Sequence, residues 1–180
     1  MLAVGKKVSY PCHGPCLVSS IVDKTVDKKS MTFYLLLVLS DHGEKLFVPM
    51  DKVKTIGIRP LLGQLEIPQL LDQLKRPSTA STDRKQRVRD NLKLFLTGSA
   101  FDLAEIVESL TELIETKPLS FSERGTLERA KRLLICEISE VTGTTKQEAE
   151  NQVDQALIAR IRTVACATVA PNPKVLAACR

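Results

Sequence analysis

The chain has only two histidines, His13 and His42, and no tryptophan. So thin a supply of general bases, with no G-x-S-x-G, no phosphate-cradling glycine loop and no H-E-x-x-H, argues against an enzyme. Long apolar runs are also missing. The longest, Phe33 to Leu39, falls far short of the roughly 20 residues a membrane-spanning helix needs, and Met1 to Val4 is too short for a signal-peptide core. The expectation is a cytoplasmic protein without membrane contact. The five cysteines are odd in number and spread from Cys12 to Cys179, without the dense, even spacing of a disulfide-stapled domain. Reduced thiols are expected.

What is present suits one large domain or two small ones: 180 residues, of which 43% are apolar, enough for a buried core. The net charge of +5 is modest, but it is unevenly placed. Residues 1–62 carry nine Lys/Arg against five Asp/Glu (+4), residues 63–93 seven against four (+3), and residues 94–180 ten against twelve (−2). Within the basic half, Arg84, Lys85, Arg87, Arg89 and Lys93 crowd into ten positions.

From Lys6 to about Leu62, short apolar runs alternate with turn formers at Pro11 to Pro15, Asp27-Lys28-Lys29 and Asp41-His42-Gly43. That rhythm predicts a small antiparallel sheet or barrel. Phe33 to Leu39 reads as a strand buried on both faces, and Glu44 to Val48 alternates as its half-exposed hairpin partner. After Gly63 the period changes to 3.6. Pro68 suits the first turn of a short helix to about Lys75, with Leu70, Leu71 and Leu74 on one side. Residues 77–82 read as a linker. Ser81 or Thr82 can cap a helix from about Asp83 to Leu96, with Val88, Leu92, Phe95 and Leu96 as its buried stripe and Gly98 ending it. Ser99 to Asp102 and Ser120 to Glu123 are capping boxes ahead of two further apolar stripes, one with Leu103, Ile106, Val107, Leu110, Leu113 and Ile114, the other with Leu127, Ala130, Leu133, Leu134, Ile138 and Val141. Thr145 to Glu148 opens a last helix to roughly Val164, before a tail with Pro171 and Pro173. The fold class is therefore α+β, divided as 1–62, a short helix and linker at 63–82, helices at 83–165 and a tail at 166–180.

Three clusters invite chemistry. Tyr10-Pro11-Cys12-His13-Gly14-Pro15-Cys16 contains zinc-type ligands, but a structural zinc site takes four, usually as two close pairs, and the other histidine, His42, has no cysteine pair near it. Gly14 and two prolines account for the cluster as a turn, and neither a metal nor another cofactor is expected. Glu105, Glu108, Glu112 and Glu115 recur at helical spacing and are expected on a solvated face. The cations from Arg84 to Lys93 flank their helix's apolar stripe, so their heads are expected outside while Val88 and Leu92 face inward. Such a face is either simply solvated or able to touch phosphates.

Val4-Gly5-Lys6-Lys7-Val8-Ser9-Tyr10-Pro11-Cys12-His13-Gly14 resembles the entry pattern of the CarD/CdnL family of bacterial transcription regulators without a gap. Phe33-Tyr34-Leu35-Leu36 through Val48-Pro49 and Gly57-Ile58-Arg59 follow at the family's spacing. Further on, Arg87-Val88-Arg89, Leu96-Thr97-Gly98-Ser99, Ala104 to Val107, and Leu119-Ser120-Phe121-Ser122-Glu123-Arg124 with Ala130 to Leu134 extend the resemblance over approximately residues 4 to 160.

The resemblance implies an N-terminal Tudor-like barrel that binds the RNA polymerase β subunit, a module shared with the transcription-repair coupling factor, and a helical domain that contacts promoter DNA near the upstream edge of the melted bubble and stabilises the open complex. It implies polymerase-facing roles for Lys24, Leu35, Phe47 and Pro49, with strand pairing as one mode of docking. It implies DNA-facing roles for Arg84, Lys85, Arg87 and Arg89, acting on phosphates without reading sequence. A nucleoid-associated protein, monomeric when free, is the corresponding expectation. The departure is at Arg84, where most family members carry a tryptophan that wedges into the distorted minor groove. A guanidinium cannot fill an unstacked step as an apolar wedge does, although it can enter a narrow groove or stack on a base. Two other readings stand beside this one: an adaptor whose barrel recruits polymerase or another partner without DNA melting, and a thiol or metal sensor using Cys12 and Cys16.

Overall fold

The computed structural model describes residues 2–26, 29–39, 43–76 and 83–168. Strands β1 (Lys7–Tyr10), β2 (Gly14–Val26), β3 (Lys29–Val38) and β4 (Lys45–Pro49) come first, followed by the one-turn helix α1 (Val53–Ile56) and the short strand β5 (Arg59–Pro60). They form one antiparallel sheet in the order β4-β3-β2-β1-β5. A bulge between Val18 and Ser20 in β2 shifts the register, which bends a long strand and increases its twist. The inner face buries Val8, Cys16, Val18, Tyr34, Leu36, Val38, Val48 and Ile58 as one cluster. Of the predicted turns at 27–29 and 41–43, residues 27, 28, 41 and 42 lie outside the described residues.

The hairpin between β3 and β4 pairs Tyr34 with Val48 and Leu35 with Phe47. Its first strand corrects the expectation of burial on both faces. Tyr34, Leu36 and Val38 are buried, whereas Phe33, Leu35 and Leu37 are only half-buried, because the outer face is covered merely by sheet neighbours such as Phe47 and Pro49.

Five helices follow: α2 (Ile67–Gln73), α3 (Arg84–Thr97), α4 (Ala100–Thr116), α5 (Phe121–Thr142) and α6 (Lys146–Thr168). Their shared core runs from Leu70 and Leu74 through Leu103, Ile106 and Leu110 to Leu134, Ile138, Val153 and Leu157. Each such side chain stabilises by about 1.5–3 kcal/mol when fully buried. Local signals set most boundaries. Pro68 lies in the first turn of α2, and Gly98 and Gly143 end α3 and α5 in the left-handed conformation. Ser120 and Glu123 form a reciprocal capping box, with the Ser120 amide donating to Glu123 Oε2 at 3.0 Å and the Glu123 amide to Ser120 Oγ at 3.4 Å. Thr145 and Glu148 do the same at 2.8 and 3.2 Å.

Two caps differ from expectation. Ser81 and Thr82 lie outside the described residues, and the cap of α3 is Asp83, whose carboxylate accepts from the amides of Lys85 and Gln86 at 3.3 Å. A carboxylate there also meets the positive end of the helix. Ser99 makes no side-chain cap on α4, because Thr97 intervenes: its hydroxyl donates to Asp102 and accepts from the Ser99 amide.

The two cores meet at a polar seam. Arg59 on β5 makes a bidentate pair with Glu137 on α5, at 2.7 and 2.8 Å, and its Nε donates to the Gly98 carbonyl at 2.9 Å. Glu137 also accepts from the Leu62 amide at 3.1 Å, and Lys7 reaches Glu140 at 2.7 Å. The β1–β2 turn seats against the helices: a Cβ on Gly14 would lie 2.9 Å from Leu133, and one on Gly98 2.8 Å from Pro11. Both glycines have positive φ, so any larger residue is excluded by backbone and neighbour alike.

Candidate functional site

In the sheet, side chains two residues apart share a face. Register places Ser20, Leu35 and Phe47 in one row and Val22, Phe33 and Pro49 in the next, with Lys24 and Met31 beyond. Lys24, Leu35, Phe47 and Pro49 therefore share the outer face. The Lys24 ammonium lies 3.2 Å from the Phe47 ring centroid, a cation–π contact that orients an aromatic ring still 45% exposed. β4 is an edge of the sheet, so its backbone has a strand neighbour on one side only among the described residues. Such an edge can accept an additional strand, with the flanking apolar face supplying side-chain pockets.

The basic helix α3 is turned differently from the sequence expectation. Arg87, Asn91 and Phe95 are buried, whereas Val88 is exposed and Leu92 and Leu96 are each 58% exposed. Arg87, only 3% exposed, is not among the outward cations. Its guanidinium donates to Glu123 Oε1 from Nη2 at 2.6 Å and from Nε at 3.3 Å. Burial alone would push the Glu123 carboxyl up, but hydrogen bonds from Ser120 and Arg87 hold it at about 2. The pair fastens the start of α3 to the start of α5. This corrects the reading of Val88, Leu92 and Leu96 as core: one buried ion pair, and the cost of orphaning either member, set the rotation of the helix. Arg84, Lys85 and Arg89 are exposed and have no ion-pair partner among the described residues.

The acidic row on α4 is also not a simple solvated face. Glu105 is exposed, but Glu108 is buried, and burial pushes its carboxyl up to about 7, with the Arg160 charge opposing and Glu105 and Glu112 reinforcing the rise. Arg160 of α6 is itself buried. It donates to the Glu108 carbonyl at 2.8 Å and to Glu115 at 3.0 Å, and lies 3.6 Å from Glu112. The row thus anchors the last helix. Ile114, expected in the core, is exposed at the end of α4.

Two models of one family match the chain in order: the CarD-like/TRCF RID domain over residues 2–62 and the CarD C-terminal domain over residues 69–154. The chain belongs to the CarD family. It is 25% identical over 155 residues to YdeB of Bacillus subtilis (strain 168), a protein named as a candidate transcription factor, across 84% of this chain and 99% of that one. Membership makes this a transcription regulator with an RNA polymerase-interacting domain at its N-terminus and a helical CarD domain after it. No helix among the described residues is long and apolar enough to cross a membrane.

In this CarD protein the Cys/His cluster is a tight turn. Cys12 takes a left-handed φ of 66°, the His13 amide donates to the Tyr10 carbonyl at 3.1 Å, and the His13 ring stands edge-on to Tyr10 at 5.0 Å. Cys16 is buried, its thiol donating to the Gly14 carbonyl at 3.5 Å, and burial pushes that thiol up to about 12. Burial raises Cys12 as well, against the Arg129 charge. Thiols held in this way are poor nucleophiles and poor metal ligands. Cys166 and Cys179 lie where side chains are not described. Sequence reasoning missed Arg59–Glu137 and Arg160 because their partners are 78 and 45 to 52 positions away. It missed Asn91 because the aliphatic row beside it had the stronger helical period.

Proposed function

We propose that this CarD protein docks on the β subunit of RNA polymerase through the outer sheet face carrying Lys24, Leu35, Phe47 and Pro49, and touches promoter DNA through Arg84, Lys85 and Arg89, prolonging the open complex. The observation that carries the docking half is the convergence of those four residues beside the open edge of β4, with Phe47 exposed under Lys24. An exposed aromatic with a cation over it, beside a strand edge that is open among the described residues, is a surface suited to strand addition with a side-chain anchor. The exposed cations at the start of α3, without an ion pair among the described residues, support phosphate contacts that position without specifying sequence. Arg87 supports them indirectly, by fixing α3 against α5.

Rigid coupling matters to such a bridge. Arg59 and Glu137 hold the sheet against the helices, so the two contacts are presented at one separation and the second forms at high effective concentration. Pull-down of the β subunit followed by footprinting of the promoter complex tests both halves. Binding that survives Lys24→Glu combined with Phe47→Ala removes the docking assignment. The adaptor reading is favoured by the burial of Arg87, which takes one cation from the DNA face. Under that reading the β subunit is retained but the footprint and the open-complex lifetime do not change. Arg84→Ala and Arg84→Trp in a bubble-reporter assay decide whether position 84 participates.

A further inference from the structure

The groove between α3 and α5 has a built polar feature that phosphate binding does not use. Asn91 is 7% exposed, and its side-chain amide has no hydrogen-bond partner among the described residues. Every fully enclosed side-chain nitrogen or oxygen there is paired, so the Asn91 amide must border open space. That space is a cavity of about 170 Å³ that Asn91 lines together with Val88, Leu92, Phe95, Thr126 and Arg129. That is too much for one structural water and enough for a ring system.

The lining sorts by chemistry. Val88, Leu92 and Phe95 give apolar walls, and the Arg129 guanidinium carbon sits 5.1 Å from the Phe95 ring centroid. The one carboxylate in the lining, Glu123, is already saturated by Ser120 and Arg87. Lys85 and Arg89 lie on the same helix as the apolar wall, exposed and without ion-pair partners among the described residues. A ligand matching all of these is flat, carries a donor–acceptor edge for an amide, and is attached to an anion. Asparagine meets adenine in this way, accepting from its N6 amino group and donating to N7. A peptide meets these features only by combining a backbone amide with separate aromatic and acidic side chains, whereas a nucleotide carries the edge, the ring and the anion in one unit.

We propose that this groove binds one unstacked adenine base, with Asn91 on its N6/N7 edge, Val88, Leu92 and Phe95 against the ring, and Arg129 near its phosphate. An unpaired base of melted DNA and a free adenine nucleotide share this chemistry. The promoter-contact reading above matters here only for which source supplies it.

The test is fluorescence anisotropy of the full-length protein with labelled single strands of deoxyadenylate or thymidylate of equal length, with AMP as competitor. The expected result is about tenfold or tighter binding of the adenine strand, the discrimination of one good bidentate contact. Asn91→Ala and Asn91→Leu erase that preference without lowering Tm, and Asn91→Leu keeps the result readable should the smaller residue loosen the helix. Competition by AMP assigns the groove to nucleotides generally; preference without competition assigns it to bases within a strand, and either result supports the proposal. Equal binding of the two strands overturns it, as does a preference that survives both variants. Salt-dependent binding without base preference removes the groove assignment and leaves promoter contact standing. Asn91-dependent AMP binding with no strand binding does the reverse. The absence of any Asn91-dependent nucleotide binding overturns the proposal and gives the groove to a protein partner.

Discussion

The sheet and the basic helix present their candidate surfaces for different physical reasons. In the sheet a side chain has only two directions, so once the hairpin register is set Leu35, Phe47 and Pro49 share a face with Lys24. In α3, consecutive residues differ by about 100°, and two adjacent faces competed for the core. One carries Val88, Leu92 and Leu96; the other carries Arg87, Asn91 and Phe95. Glu123, 36 positions downstream, chose the second. A pattern of period two determines its own orientation, whereas a helix with polar and apolar residues on neighbouring faces waits for its partner.

The largest effect that would sharpen this comparison is in the helix. Arg87→Ala strands the Glu123 carboxylate and is expected to cost about 3–5 kcal/mol in urea unfolding. A loss below about 1 kcal/mol would mean that the pair does not orient α3. Next in size, Phe47→Ala is expected to weaken polymerase β-subunit binding by about 2 kcal/mol, or roughly thirtyfold, as truncation of an exposed anchor does. Its thermal stability should stay near that of the parent, and unchanged affinity in a pull-down titration would move the docking surface elsewhere.

A smaller effect separates the two buried carboxylates by pH. Glu108 is raised to about 7 in the fold, so the native state holds a proton that the unfolded chain releases near its ordinary value. Its contribution is present below about pH 4.5 and lost as pH rises through about 7. Glu123, held at about 2, contributes above the ordinary carboxylate range and loses that contribution as pH falls toward 2. Glu108→Gln is therefore expected to remove the decline on the neutral side and to stabilise by about 1–3 kcal/mol near pH 8. Chemical denaturation across pH checks this, and an unchanged slope would place the proton elsewhere. The smallest stability effects belong to Arg84→Ala, Lys85→Ala and Arg89→Ala, each within about ±0.5 kcal/mol. Each should nevertheless flatten the salt dependence of promoter binding, by about 0.9 for every phosphate no longer neutralised. A salt slope equal to the parent's for the triple variant would remove these cations from the DNA face.

Much of the architecture was legible locally. The switch from alternating to helical period near Gly63, Pro68 opening α2, and the Ser120–Glu123 and Thr145–Glu148 boxes all act within a few residues, so the chain carries them regardless of its surroundings. Misreadings arose where the deciding partner is remote. The glutamates at 108, 112 and 115 have the spacing of a solvated row, but Arg160 turns them into an anchor. The Cys/His cluster, read from the sequence as a turn, is one, and what only the fold shows is that it places Pro11 and Gly14 against Gly98 and Leu133.

By itself the sequence determined the α+β order, the capping boxes of α5 and α6 and the family, because each rests on short-range stereochemistry or on motifs in order. Tertiary structure alone decided which face of α3 is outward, that Arg87 is an internal brace, that Arg59 and Glu137 couple the halves, and that Asn91 borders a cavity. Those outcomes depend on buried charges meeting counter-charges from distant parts of the chain, because leaving either member buried and unpaired is strongly destabilising, and such partners are invisible to any local pattern.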